Sequence, residues 1–339
     1  MEIDDESLRL AASAELPILR LLRRSRLPTW AFGAAWGLLL FGIMVLPYFA
    51  LDMDPSQQRG VLVSALFFSV SIAIITGAAA PVFYGAANDL RELGPVLSID
   101  GEARECLARG LVRATPGQVR LTLLMGVILG IAHSYLLGHH LLPIAIMLPQ
   151  IGGTMMLWIF MHMTVVKLII NALVFSRLGA VAEPDLLRPS RHAGFGTAAL
   201  RPALFIIGTL CAYVLLVIGE SRPVAEASWI GAALSVISMV GIVTLPLRGI
   251  RRRISERREA ILRDLDDRLE AMADRNLGTV PPATLRDMDT ILDMRERVAQ
   301  APGWPLDLAG VRRILLYIVL PPLTWAAAAI VEMMIDSLV

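Results

Sequence analysis

Seven long stretches of this chain, 30–51, 61–84, 121–137, 142–175, 203–218, 229–247 and 314–331, carry almost no charge. An apolar helix of about 20 residues spans a hydrocarbon core of about 30 Å. With 56% hydrophobic and 18% charged residues over 339 positions, the chain reads as an all-α, polytopic helical membrane protein of about seven transmembrane helices. The spans use up so much of the length that residues 1–339 are expected to form a single membrane domain. Membrane lipid is then its first partner.

Charge sets the expected orientation. Of the 30 arginines, only Arg59 and Arg222 fall in loops on one side of a seven-span layout, and the rest fall on the other side. Arginine collects on the cytosolic side, so the N-terminus is placed inside and the C-terminus outside, with a bacterial inner (plasma) membrane as the expected location. The outer side then holds Asp52, Asp54, Glu220, Glu226, Glu332 and Asp336 against two arginines. An acidic face of this kind raises the local cation concentration and implies a weak cation preference. The stretch 142–175 leaves the count open, because 34 residues of helix extend about 51 Å. It forms either one long span or two spans broken near Pro149, Gly152 and Gly153. The loops on either side, 86–118 and 177–200, are both arginine-rich, which requires an even number of crossings between them and favours one span.

The sole lysine of the chain, Lys167, lies inside that stretch. A charge at membrane depth costs on the order of 3 kcal/mol and commonly faces a protein interior or a hydrated cavity. Thr164, Lys167 and Asn171 follow at i, i+3 and i+7, on one helical face. The three residues are candidates for a pore or substrate path, joined at the outer mouth by Glu332 and Asp336. The alternative is a structural lysine that snorkels to the interface or pairs with a carboxylate. Four of the five histidines, His133, His139, His140 and His162, also fall in this part of the chain. They are too far apart along the helices for one mononuclear site, and no HExxH motif is present. No metal or other cofactor is expected. Cys106 and Cys211 are read as free thiols.

The remaining signals concern packing. Thr122, Gly126, Gly130 and Ser134 recur every four residues, as do Gly231, Ser235, Ser238 and Gly241 approximately, and small stripes of this type let membrane helices approach closely, within or between subunits. Pro321-Pro322 is expected to kink the last span. Residues 1–28 suit an amphipathic helix lying on the inner leaflet or on the protein's own cytosolic hairpin. That hairpin, residues 250–300, is inserted between spans six and seven. Leu262, Leu265, Leu269 and Met272 in its first helix and Leu285, Met288 and Leu292 in its second form two apolar seams. Thr284 with Asp287 resembles a capping box. Two short helices cannot bury both seams alone, so the hairpin is expected to pack on loops 86–118 and 177–200, on a second copy of the chain, or on a cytosolic partner.

Neither a nucleophile elbow, nor a phosphate-binding loop, nor an intramembrane carboxylate pair is present in the sequence, which points away from an enzyme. No arginine-dense run suggests nucleic acid. The layout, with N-terminus inside and a cytosolic helical extension before the last span, resembles that of insect odorant and gustatory receptor channels. The likeness is one of topology and assigns no residue role. The expected function is a non-enzymatic homo-oligomeric channel or membrane sensor, its hairpins forming an assembly platform. Two alternatives are a proton-coupled secondary transporter using Lys167 and an accessory membrane subunit of a larger complex.

Overall fold

A computed structural model describes residues 13–212, 215, 226–274, 282–301 and 303. The described chain is almost entirely helical, with five helices long and apolar enough to cross a membrane. Ala14–Glu15 forms a short strand, β1, and is followed by α1 (Pro17–Ser25), α2 (Thr29–Ala50), α3 (Pro55–Glu92) and α4 (Gly101–Leu111). The second strand, β2 (Arg113–Ala114), precedes α5 (Pro116–Leu136), α6 (Ile144–Val181), α7 (Ala193–Cys211), α8 (Glu226–Asp274) and α9 (Pro282–Gln300). The last span, with Pro321, Pro322, Glu332 and Asp336, lies outside the described residues.

Residues 142–175 resolve into a single continuous helix. α6 runs for 38 residues with Pro149 inside it, so this stretch is one element and not two broken at Gly152 and Gly153. α8 is longer still, 49 residues from Glu226 to Asp274, or about 74 Å of unbroken helix. It joins the apolar segment 229–247 directly to the arginine-rich segment of the hairpin.

The helices associate through glycines where backbones must touch. In α5, Thr122, Gly126, Gly130 and Ser134 are all buried. A Cβ on Gly126 would lie 2.6 Å from Cα of Ile159, and one on Gly130 would lie 2.6 Å from Cα of Met155. This small stripe is therefore consumed within the chain, closing α5 on α6. The second stripe behaves differently at Gly241, where a Cβ would meet nothing within 4 Å. α6 and α8 cross most closely at another pair, Gly179 and Gly249. A Cβ on Gly179 would sit 2.5 Å from the amide nitrogen of Ile250, and one on Gly249 would collide with the carbonyl of Ser176.

Among the described residues two large apolar cores stand beside a small cluster of Met53, Val61 and Ile146. The larger contains Phe32, Met44, Phe68, Ile72, Ile75, Phe83, Leu157, Leu168, Ile206 and Ile242, drawn from α2, α3, α6, α7 and α8. The second gathers Leu90, Leu93, Val96, Leu97, Leu111, Phe175, Leu178, Leu186, Phe195, Ile250, Ile254 and Val298. The second core thus combines the ends of α3, α4 and α6 with the start of α7, the polar part of α8 and the end of α9. The hairpin rests on loops 86–118 and 177–200 of its own chain.

Of the expected amphipathic stretch 1–28, residues 1–12 lie outside the described residues, and the helix over the remainder is α1. Pro17 occupies the first turn of α1, where a missing N–H is harmless, and the residues before it are extended because Ala14 and Glu15 pair with Ala114 and Arg113. Leu16, Ile18, Leu19 and Leu22 join the larger core, so the apolar face of α1 is turned onto the bundle and not onto the hairpin. The turn between the hairpin helices, 275–281, lies outside the described residues. α9 starts at Pro282, two residues before the expected cap, which places Thr284 inside the first turn.

Candidate functional site

The polar face of α6 is buried as a unit: Thr164, Lys167 and Asn171 are 3%, 6% and 5% exposed. Lys167 Nζ donates to the carbonyl of Gly110 at 2.9 Å, and Asn171 Nδ2 donates to the carbonyl of Leu111 at 3.0 Å. Both acceptors belong to the last turn of α4. The final carbonyls of a helix have no partner within it and carry the negative end of its dipole. An ammonium and an amide from α6 satisfy two of them. The helix has no left-handed glycine at this end, since Val112 sits at φ −100° and ψ 0°. Capping comes instead from a second helix, 57 residues away in sequence.

The chain around this point is fixed from both directions. Asp100 caps the start of α4 by accepting from the amide of Glu102 at 3.1 Å. Past its end, the carbonyl of Val112 accepts from the amide of Leu16 at 3.1 Å. Thr115 and Gln118 then form a capping box at the start of α5, satisfying two further amides. Lys167 therefore stands where the N-terminal strand, α4 and α6 converge. Its hydrogen-bond partner there is the backbone carbonyl of Gly110.

Some of this polar face has no partner among protein atoms. Thr164 Oγ1 and Asn171 Oδ1 are buried without a hydrogen bond, as are Ser69 Oγ and Ser71 Oγ on α3. Asn171 also lines a cavity of about 10 Å³ enclosed by Val82, Ala86, Leu168, Phe175 and Ile242, about the space of one water molecule.

A second buried polar contact escaped the reading of the sequence. Arg201 on α7 makes a two-pronged ion pair with Asp89 on α3, at 2.7 and 3.3 Å. Asp89 is buried, and Gly85, one turn earlier, leaves room for the guanidinium, whose Nε would lie 2.7 Å from a Cβ there. The available signal was an arginine immediately before the apolar stretch 203–218. Boundaries drawn by charge place Arg201 just outside the span, whereas α7 begins at Ala193 and carries Arg201 in its interior.

The seam of α8 faces inward, whereas that expected on α9 does not. Leu265 is buried; Leu262 packs against the core that contains Val298 of α9, and Leu269 and Met272 are partly buried. Arg295 of α9 reaches Asp266 of α8 at 2.6 Å, and Arg258 donates to the carbonyl of Ala299. Leu285 and Leu292 of α9 are exposed.

Trp158 Nε1 donates to His133 Nδ1 at 2.9 Å, and His140 stacks on Tyr135. His139, in the turn between α5 and α6, is pushed down to about 4, chiefly by burial and secondarily by nearby His133. Among the described residues, no group of three or more His, Cys, Asp or Glu side chains is placed to hold a metal. Cys106 and Cys211 are free. A cleft of about 560 Å³ beside the hairpin is lined by Glu183, Asp185, Arg191, Arg253, Glu256 and Arg257. Its charges are largely paired internally, Arg191 with Asp185 at 3.2 Å and Arg253 with Glu256 at 3.4 Å.

No known protein family, curated protein or solved structure matches this chain.

Proposed function

We propose that this protein is a non-enzymatic integral membrane protein that works as a homo-oligomeric channel, with the α8–α9 hairpin acting as both its cytosolic assembly platform and its control lever. The observation that carries this reading is the continuity of α8. α8 carries Pro246 and is still one helix from Glu226 to Asp274, so a displacement of the hairpin is passed to the bundle along a single element. Its route passes through the Gly179–Gly249 crossing, where α6 and α8 touch backbone to backbone. Sensing at the hairpin and opening in the membrane would thus share one element.

The proposed arrangement has seven spans in a bacterial inner membrane, N-terminus inside and C-terminus outside. α2, α3, α5, α6, α7 and the first part of α8 supply six crossings, and 314–331 supplies the seventh. From Ile144 to Lys167 α6 rises about 35 Å, close to one hydrocarbon thickness. Lys167 then stands near the inner boundary, and the remainder of α6 projects to support the second core. The acidic outer residues, including Glu332 and Asp336, would favour cations. Assembly is assigned to the hairpin, whose seam of Leu262, Leu265, Leu269 and Met272 keeps α8 and α9 together. A cytosolic partner docking there would act on the lever.

A second reading is supported by the unpartnered Thr164 Oγ1 and Asn171 Oδ1. Buried polar atoms of this kind are commonly satisfied by water, and with Lys167 they would form a short proton route in a secondary transporter. Reconstituted vesicles separate the two. A channel is expected to pass cations down a gradient as a like-subunit ring, with mass measured by light scattering. A monodisperse protomer that moves cations only against a counter-gradient of protons would overturn the channel reading.

A further inference from the structure

We propose that the outward face of α8 between Ile237 and Ser255 is a binding site for one anionic phospholipid of the leaflet on the arginine-rich side. At 100° per residue, Ile237, Val240, Gly241, Thr244, Arg248, Arg251, Arg252 and Ser255 fall within one sector of the helix. The character of that sector changes along its length. Ile237 and Val240 are exposed, at 67% and 54%, and a Cβ on Gly241 would meet nothing within 4 Å. Above them, Thr244, Leu245, Arg248, Arg251, Arg252 and Ser255 line a cavity of about 400 Å³. The stripe is about 27 Å long, enough to cover one leaflet with its headgroups, about 20 to 22 Å.

This order is the order of a phospholipid. Acyl chains fit the apolar lower part, where glycine opens a shallow groove. The guanidinium groups of Arg248 and Arg252, one turn apart on the helix, fit the phosphodiester, to which Arg offers paired donors. Arg252 is held at 2.7 Å by Glu256, a contact between exposed side chains that contributes little and yields readily to phosphate. On the opposite side of the helix, Arg253 donates to the carbonyl of Ala182 and is unavailable. A second copy of the chain is a poor occupant, because a two-fold contact here brings these arginines against their own equivalents. A zwitterionic lipid offers the same phosphate with an ammonium that the cluster repels, which is why the site selects net negative headgroups.

The inference rests on α8 crossing the membrane and is independent of channel activity. Its test uses the full chain in detergent, with lipid retention read by native mass spectrometry in mixtures of phosphatidylglycerol and phosphatidylcholine. Basic residues at a membrane surface each contribute on the order of a fivefold preference. Arg248→Gln and Arg252→Gln together are thus expected to lower the preference for phosphatidylglycerol by about 25-fold. Removing equal charge from the hairpin, by Arg263→Gln and Arg286→Gln, should leave it intact. Arg248→Gln alone should give an intermediate loss if the double variant fails to insert. Equal retention of both lipids, or an unchanged preference in either set of site variants, overturns the proposal. So does displacement of phosphatidylglycerol by inorganic phosphate, which would assign the cluster to soluble anions.

Discussion

Lys167 shows how a residue can stand out in a sequence while its role stays hidden. A single lysine among 30 arginines, flanked at helical spacing by Thr164 and Asn171, is legible as a buried polar face. Its partners are the carbonyls of Gly110 and Leu111, and a backbone acceptor leaves no mark in the sequence. Asp89 and Arg201 were illegible for a related reason, since they are 112 residues apart and each looks like an ordinary loop charge. The capping geometry changes what Lys167→Met is expected to do. Methionine preserves the length of the side chain and strands the carbonyl of Gly110 in a buried setting, at a cost of about 1 to 3 kcal/mol. Thermal unfolding in detergent should show a lowered Tm for Lys167→Met, with a smaller drop for Asn171→Leu because a neutral donor is lost. A variant with unchanged Tm and altered ion selectivity would instead return Lys167 to a conducting path.

Among the elements, spans and hairpin were readable because their patterns are long. Trp30 to Leu51 anticipates α2 at Thr29–Ala50 within a residue at each end. Ends set by packing were not readable in the same way. α3 continues to Glu92 and α7 starts at Ala193 because Ala86, Leu90, Phe195 and Ala199 belong to the second core, which covers them without any lipid. Small-residue stripes were readable as contact surfaces without showing which partner they meet. Gly126 and Gly130 touch α6, whereas Gly241 has an open side and the tightest α6–α8 contact falls at Gly249. Two valine substitutions make the contrast measurable. Gly249→Val must separate the α6 and α8 backbones, with an expected destabilisation of about 1 to 3 kcal/mol or more, and should uncouple the hairpin from the bundle. Gly241→Val meets no neighbour and should stay within about 0.5 kcal/mol of the parent. Denaturant unfolding of both proteins checks the order. Equal losses would mean that α8 does not pivot at Gly249.

For the whole molecule, the second core links topology to charge. The ends of α3, α4 and α6, the start of α7 and the polar part of α8 all contribute to it, so these segments share one side of any membrane the bundle crosses. α1 joins the same end, through a hydrogen bond from Tyr84 to Glu15 at 2.5 Å and the pairing of β1 with β2. An even number of crossings therefore separates α1 from α9. With the five apolar helices α2, α3, α5, α6 and α7 and α8 crossing as proposed, the count is six. Arginine is concentrated at this end, with Arg20, Arg23, Arg24 and Arg26 near α1 and Arg248, Arg251, Arg252, Arg253, Arg257 and Arg258 on α8, and by the positive-inside rule it is the proposed cytosolic end. A reporter active only outside the inner membrane should accordingly be silent when fused before Met1 or at the turn near Gly278. Fused after Val339, it should be active if 314–331 is the proposed seventh crossing. Silence at all three positions would reduce 314–331 to a segment that returns to the cytosolic side, and would move Glu332 and Asp336 away from the outer mouth. Activity at the Gly278 position would break the parity that the second core requires, and the membrane orientation of the hairpin would have to be inverted.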